Sequence, residues 1–204
     1  MLSVQALARR IRYRLHDIDE ITYEDEEILD SLNNGIRFIR RTIASIRPAL
    51  LMTEHSGTLA AGIKSITLET RPMKIINVTV GKPEKALHET EMAFAIHRAS
   101  DKTGEPQEFY LTGSQTINFY PTPKEPTPYT IRTVDDVEEL TWQDKSPLLT
   151  EFDDFLVEYV TIRLSVGNEY DMTQEMQMLA NIAAQIQQII MPPPAGIITK
   201  GYWQ

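Results

Sequence analysis

Cysteine is absent from this chain, which excludes disulfide scaffolds, thiolate nucleophiles and zinc sites built on cysteine. Long hydrophobic runs are missing as well. No stretch of roughly 18 uncharged apolar residues occurs, so no segment reads as a membrane-spanning helix. The opening MLSVQALARRIRYR carries its charges after a short apolar segment, the reverse of a secretory signal. The expectation is a soluble protein made in the cytosol. Glycine is sparse, nine in 204 residues, and none is arranged as a phosphate loop, a GxSxG elbow or a dinucleotide fingerprint, so a nucleotide enzyme is not expected. Histidine is limited to His16, His55, His88 and His97, with no metal-ligand spacing and no HExxH, and each reads as a surface or packing residue. No cofactor is implied.

Cations are also in short supply: 20 Lys and Arg against 29 Asp and Glu, a net charge of −9. That balance argues against a protein whose affinity comes from neutralising many phosphates. The deficit is uneven. Up to Pro48 eight arginines balance eight acids, so the whole negative charge lies after Pro48.

What is present is enough apolar surface for a core, 42% of the residues, arranged with two different periods. Residues 2–15 read as a helix, with Leu2, Ala6, Leu7, Ile11 and Leu15 at helical spacing and Arg9, Arg10, Arg12 and Arg14 scattered around the cylinder. A salt-bridged face fits that scatter better than a nucleic-acid patch. A longer helix is expected from Thr22, where Thr22-Tyr-Glu-Asp25 resembles a capping box, to Arg47-Pro48. Ile28, Leu32, Ile36, Ile39, Ile43 and Ile46 line one face of it. From Gly62 to about Val134 the period falls to two, with strands expected at 65–70 and 75–80 and a short helix at 89–98.

EFYLTGSQTINFY reads as a hairpin turning at Gly113-Ser114. That register pairs Tyr110 with Ile117, and puts Phe109, Leu111 and Tyr120 on the other face, so both faces carry apolar groups. Either two sheets cover each other in a small sandwich, or a neighbouring subunit covers one face. Helix returns near Asp144, first along Phe152, Phe155, Leu156, Tyr159, Val160, Ile162 and Val166 to a stop at Gly167. A second helix follows along Met176, Leu179, Ile182, Ala183, Ile186 and Ile190. Pro192-Pro193-Pro194 then opens the apolar, aromatic tail AGIITKGYWQ. The fold class is α+β: a bundle of N- and C-terminal helices with an inserted antiparallel β domain and an extended C-terminal tail. The expected divisions are 1–61, 62–143, 144–191 and 192–204.

The acidic runs DIDE (17–20), EDEE (24–27) and DDVEE (135–139) lack the EF-hand pattern and read as helix starts and loops. The tail is harder to dismiss. Ile197, Ile198, Tyr202 and Trp203 either pack on their own domain or anchor into a partner. Between 118 and 132, NFYPTPKEPTPYTIR joins two strands through Pro121, Pro123, Pro126 and Pro128, a stiff connection poor in backbone donors.

Taken in order, ITYEDEEILDSLNNGIRFIRR, EFYLTGSQTINFYPTPKEPTPYTIR and SPLLTEFDDFLVEYVTIRLSVGNEYD resemble the head-to-tail adaptor (connector) proteins of short-tailed bacteriophages. The resemblance implies a structural virion protein and not an enzyme. It implies a ring, usually of twelve copies, under the portal protein, extending the DNA channel and offering a platform to a tail nozzle or tail-tube protein. Double-stranded DNA would pass without specific binding, with no membrane involved, in a particle neck assembled in the host cytoplasm and active in genome ejection. Carried over by position, Gly196, Ile197, Ile198, Thr199, Lys200, Gly201, Tyr202 and Trp203 become the portal-docking segment. Pro121, Pro123, Lys124, Glu125, Pro126 and Pro128 become a contact with the tail or a neighbouring copy. Two alternatives stand beside it: an adaptor-like cell-wall hydrolase using one of Glu24, Glu26, Glu27 or Glu151, and a carbohydrate- or protein-binding β module with Tyr110, Phe119 and Tyr120 as a stacking surface.

Overall fold

Helix α1 spans Val4–Arg14 and begins at Ser3, whose Oγ accepts the Ala6 N–H at 3.2 Å, a serine N-cap. It ends in a Schellman turn: Asp17 N–H donates to Arg12 O (2.9 Å) and His16 N–H to Tyr13 O (3.3 Å), with His16 at φ 57°. Helix α2, Asp25–Ile46, buries Ile28, Leu32, Ile36, Ile39 and Ile43 along one face, as its spacing predicts. Its start differs from the expected one. The cap residue is Glu24, with no side-chain cap bond, because the Thr22 N–H is already taken by Asp17. The computed structural model describes residues 2–91, 102–166 and 172–191. The predicted helix at 89–98, the stop at Gly167 and the tail fall wholly or largely outside them.

The chain divides into two compact units, Met1–Arg47 with Val137–Gln204, and Pro48–Asp136. In the first, helices α3 (Asp153–Val166) and α4 (Met172–Ile190) join α1 and α2. Residues from both halves of the chain are tied together by backbone bonds, Val4 N–H to Asp144 O at 3.0 Å and Ser146 N–H to Leu2 O at 2.9 Å. Asn33 of α2 also bonds both the N–H and the carbonyl of Leu140. Helix α3 buries Leu156, Val157, Tyr159, Val160, Ile162 and Leu164, which lie nearly all round its axis; such a helix belongs inside a bundle, and α1, α2 and α4 all contact it. On α4, Ile182, Ile186 and Ile190 are buried as expected, but Met176 is exposed. Its place inside is taken by Glu175, whose carboxylate accepts from Arg163 of α3.

Gly35 sets how closely α2 approaches α3. A Cβ there would lie 2.6 Å from Leu156 Cδ1 and 2.8 Å from Tyr159 Cδ1, and the Tyr159 ring is further held by Phe38 at a centroid distance of 5.1 Å. Leu156 and Tyr159 are buried and have little room to yield. Gly35→Ala recovers about 1 kcal/mol of helix propensity against an overpacking cost of about 1–3 kcal/mol, so a net loss of about 1 kcal/mol is expected by denaturant unfolding. Gly35→Val recovers less propensity and adds branching, and is expected to cost more than Gly35→Ala in the same measurement.

The second unit is a small β sandwich. One sheet has the order β1 (Met52–Leu59), β10 (Thr127–Asp135), β3 (Pro72–Val80), β4 (Lys85–Ala86). The other runs β2 (Ser65–Thr67), β8 (Thr116–Tyr120), β7 (Glu108–Thr112), β5 (His88–Glu89). A two-stranded pair, β6 (Thr103–Gly104) with β9 (Thr122–Pro123), completes the unit. Leu59, Val78, Val80 and Ile131 of the first sheet pack with Phe109, Ile117 and Phe119 of the second in one core, joined by Leu68 and Leu87. Strand β1 lies before Gly62, where the sequence pattern places no strand.

The hairpin register is one residue away from the expected one. Thr112 faces Thr116, Leu111 faces Ile117 and Phe109 faces Phe119, which leaves a three-residue loop with Gly113 at φ 68°. Gln115 is drawn out of the ladder: its carbonyl accepts the Leu68 N–H at 3.0 Å, and its side-chain amide donates to Leu68 O and Glu69 O. Since opposed residues share a face, Phe109, Leu111, Ile117 and Phe119 all point one way, and Tyr110 and Asn118 the other. The first face packs in the core between the two sheets, the self-covering sandwich of the two readings, while the second carries the half-buried Tyr110 and Tyr120 and the buried Asn118.

Candidate functional site

The turn between α1 and α2 carries the densest polar construction in the helical unit. The Schellman ending of α1 swings Asp17 back against Arg12 of the preceding turn. Arg12 is buried, and its Nη1 donates to Asp17 Oδ2 (2.5 Å) and Tyr23 O (3.0 Å), while Nη2 donates to Asp25 Oδ1 (2.6 Å). Asp17, also buried, accepts the backbone N–H groups of Thr22 (2.8 Å), Ile21 (3.0 Å) and Tyr23 (3.3 Å). A buried pair satisfied in this way holds its shape because removing either partner strands the other.

Donation from Thr22 N–H, against the opposing effect of burial and with help from Tyr23 and Ile21, holds the Asp17 carboxyl below its ordinary value of 3.8. A depressed folded value stabilises the fold fully above the unfolded value and is lost as pH falls through the folded one. Asp17→Asn is therefore expected to flatten the fall in stability below about pH 4, measured as the unfolding midpoint in urea across an acid pH series.

Around this buried core of charge the surface is unusually apolar. Tyr13 is 71% exposed, Ile18 66% and Ile21 84%. Tyr13 stands between two clefts. One, of about 660 Å³, is lined by Gln5, Ala8, Arg9, Arg12, Ile18 and Trp142 among others. The other, of about 370 Å³, lies among Arg9, Arg10, Arg14, Asp154 and Val157. The arginines of α1 are thus not scattered evenly: Arg12 is buried, whereas Arg9, Arg10 and Arg14 are exposed beside Tyr13. Arg10 pairs with Asp154 at 3.3 Å, both largely exposed. The spacing did not reveal this division, because the partners of Arg12 come from the following loop and the first residue of α2.

The proline connection is only partly a projection. Pro121 and Pro123 are buried, Pro128 is half-buried, and Lys124, Glu125 and Pro126 are exposed. The Gly62 N–H donates to Pro123 O at 2.8 Å and the Gly81 N–H to Pro128 O at 2.9 Å. Although β10 is a central strand, Pro128 costs its ladder nothing on the β3 side. The carbonyl and absent N–H of a strand residue point the same way, toward Gly81, where β3 has already turned with φ 84°. The exposed tip rims a shallow cleft of about 580 Å³ that includes Lys82, Lys85 and Glu105. The portal-docking residues Gly196–Trp203 lie outside the described residues.

The carboxylates considered for hydrolysis are not gathered. Glu24, Glu26 and Glu27 are exposed at the start of α2, and Glu151 is exposed in the 3₁₀ turn before α3. The proposed sugar-stacking surface is not formed, since Phe119 is buried on the face opposite Tyr110. His55 Nε2 lies 3.0 Å from Thr133 Oγ1 and 3.2 Å from Asp135 Oδ2, bridging β1 and β10. Among the described residues no three His, Asp or Glu side chains are gathered to hold a metal ion, and no helix is long and apolar enough to cross a membrane.

The geometry is one of interaction surfaces: exposed aromatic and aliphatic side chains on a rigid charged frame, and a stitched loop with a polar tip. No curated protein matches the chain. A family model for the SU10 adaptor protein matches residues 2–194, nearly the whole length, and the chain belongs to this family of phage head-to-tail adaptor proteins.

Proposed function

We propose that the chain forms a ring under the portal protein, extends the DNA channel there and provides the platform to which a tail nozzle or tail-tube protein attaches. The observation that carries this reading is the family match across residues 2–194, which takes in both units. The ring is a homo-dodecamer in the neck of the virion, assembled in the host cytoplasm. The helical unit and the segment Gly196–Trp203 engage the portal, and the β unit faces the tail. Within the proline connection the contact is carried by Lys124, Glu125 and Pro126, which are exposed, while Pro121 and Pro123 fix the base of the loop.

The net charge of −9 supports a channel through which duplex DNA slides without being held, because retention would need clustered cations. The role is structural, with no catalytic step. Native mass spectrometry of the purified chain, alone and mixed with portal protein, tests the proposal. The expected result is a monomer alone and a ring of copies on the portal. A chain that stays monomeric in the presence of portal would overturn it.

A further inference from the structure

The outer face of α1 and the start of α2 are complementary in charge. At 100° per residue, Arg9, Tyr13, Arg10 and Arg14 fall within roughly 140° of the α1 circumference, with Arg12 outside that arc, about 60° beyond Arg9. They line a groove whose floor includes Val157. On α2, Glu26, Glu27 and Asp30 are exposed together around the half-buried Leu29, bordering a shallow depression of about 450 Å³. The two surfaces share no residue. Among the described residues Arg9, Arg14, Glu26, Glu27 and Asp30 enter no salt bridge within the chain.

We propose that the arginine-lined groove of α1 in one copy receives the acidic ridge of α2 from a second copy, with Tyr13 packed at the centre of the contact. An exposed tyrosine flanked by arginines is the composition favoured at the energetic centre of protein interfaces. Two different faces meeting head to tail generate a ring when the rotation closes, so the contact deepens the ring reading and rests on it for closure. A polyanion is the less suitable occupant. Asp154 is paired with Arg10, so the charge offered to a partner is that of Arg9 and Arg14, and the exposed Tyr13 between them meets the half-buried Leu29 of the ridge, an apolar contact that a phosphate backbone does not supply.

Charge reversal tests the contact without the portal. One variant reverses the groove (Arg9→Glu with Arg14→Glu) and another reverses the ridge (Glu26→Lys with Glu27→Lys). Sedimentation velocity at low ionic strength and high protein concentration is expected to show weak, salt-sensitive self-association of the native chain, absent at the physiological ionic strength at which the chain alone is a monomer. Each variant alone should associate about tenfold or more weakly, as expected for loss of paired interface charges. An equimolar mixture should recover association, because each reversed surface then meets its reversed complement. Absence of self-association by the native chain, native-like association of either variant, or a mixture that does not recover would overturn the proposal. Loss of duplex DNA retention by the groove variant with self-association intact would assign the groove to nucleic acid instead. Ring formation on portal is read separately, so a failure of the adaptor reading leaves the copy-to-copy contact independently measurable.

Discussion

A chain lacking residues 192–204 is expected to form no rings on portal protein while both of its units stay folded. The deleted segment holds Ile197, Ile198, Tyr202 and Trp203, and aromatic anchors at interfaces commonly contribute about 2 kcal/mol or more each, roughly thirtyfold in affinity. Losing two such anchors removes enough affinity to abolish assembly at ordinary concentrations. Folding is spared because the cut falls beyond Ile190, which is 2% exposed and whose carbonyl accepts from Arg47 Nη1 at 3.3 Å. Those contacts remain in the shortened chain. Native mass spectrometry with portal, paired with circular dichroism of the shortened chain, checks both halves. Undiminished ring formation would refute the docking role of the tail.

Arg12→Ala is expected to destabilise the helical unit by about 3–5 kcal/mol, the scale for removing one partner of a buried ion pair. The substitution leaves Asp17 buried without its cation and releases the Tyr23 carbonyl and Asp25 from their donor. Arg10→Ala is the control: its pair with Asp154 is exposed on both sides, and such a pair is worth less than about 1 kcal/mol. Trp142 lines the same cleft as Arg12 and is one of two tryptophans in the chain. Denaturant unfolding followed by its fluorescence in a Trp203→Phe background reports on this unit. Equal midpoints for the Arg12→Ala and Arg10→Ala chains would contradict the account of the turn.

How much of this was legible beforehand depended on how local the deciding contacts are. Helix α2 was readable because Ile28 to Ile43 repeat at helical spacing and Arg47-Pro48 stops the run. The α+β class followed from the change of period near Gly62, and the family from three long stretches in order. The hairpin was readable as a hairpin, but its register depended on Gln115 bonding to Leu68 and Glu69, partners more than 40 residues away. Strand β1 was missed because, of MTEHSGTL, only Leu59 is buried. Its pairing along β10 supplies what its side chains do not. Met176 lies outside where its spacing puts it inside, because Glu175 is drawn in by Arg163 on another helix.

The candidate surfaces were less legible still. Four prolines between two strands look alike in sequence, yet Pro121 and Pro123 are buried and Pro128 lies in a central strand, and the Gly62 and Gly81 N–H groups that hold the carbonyls of Pro123 and Pro128 come from distant parts of the chain. The arginines of α1 likewise look alike until Asp17, Asp25 and the Tyr23 carbonyl select Arg12 for burial and leave the other three outside.

Electron microscopy of assembled particles, focused on the portal vertex, tests the central claim most directly. The account predicts a ring of copies of this chain seated against the portal and surrounding the channel, with density for the helical unit next to the portal and the β unit toward the tail. Particles in which this chain is absent from the portal vertex, or is found only at the distal end of the tail, would contradict it.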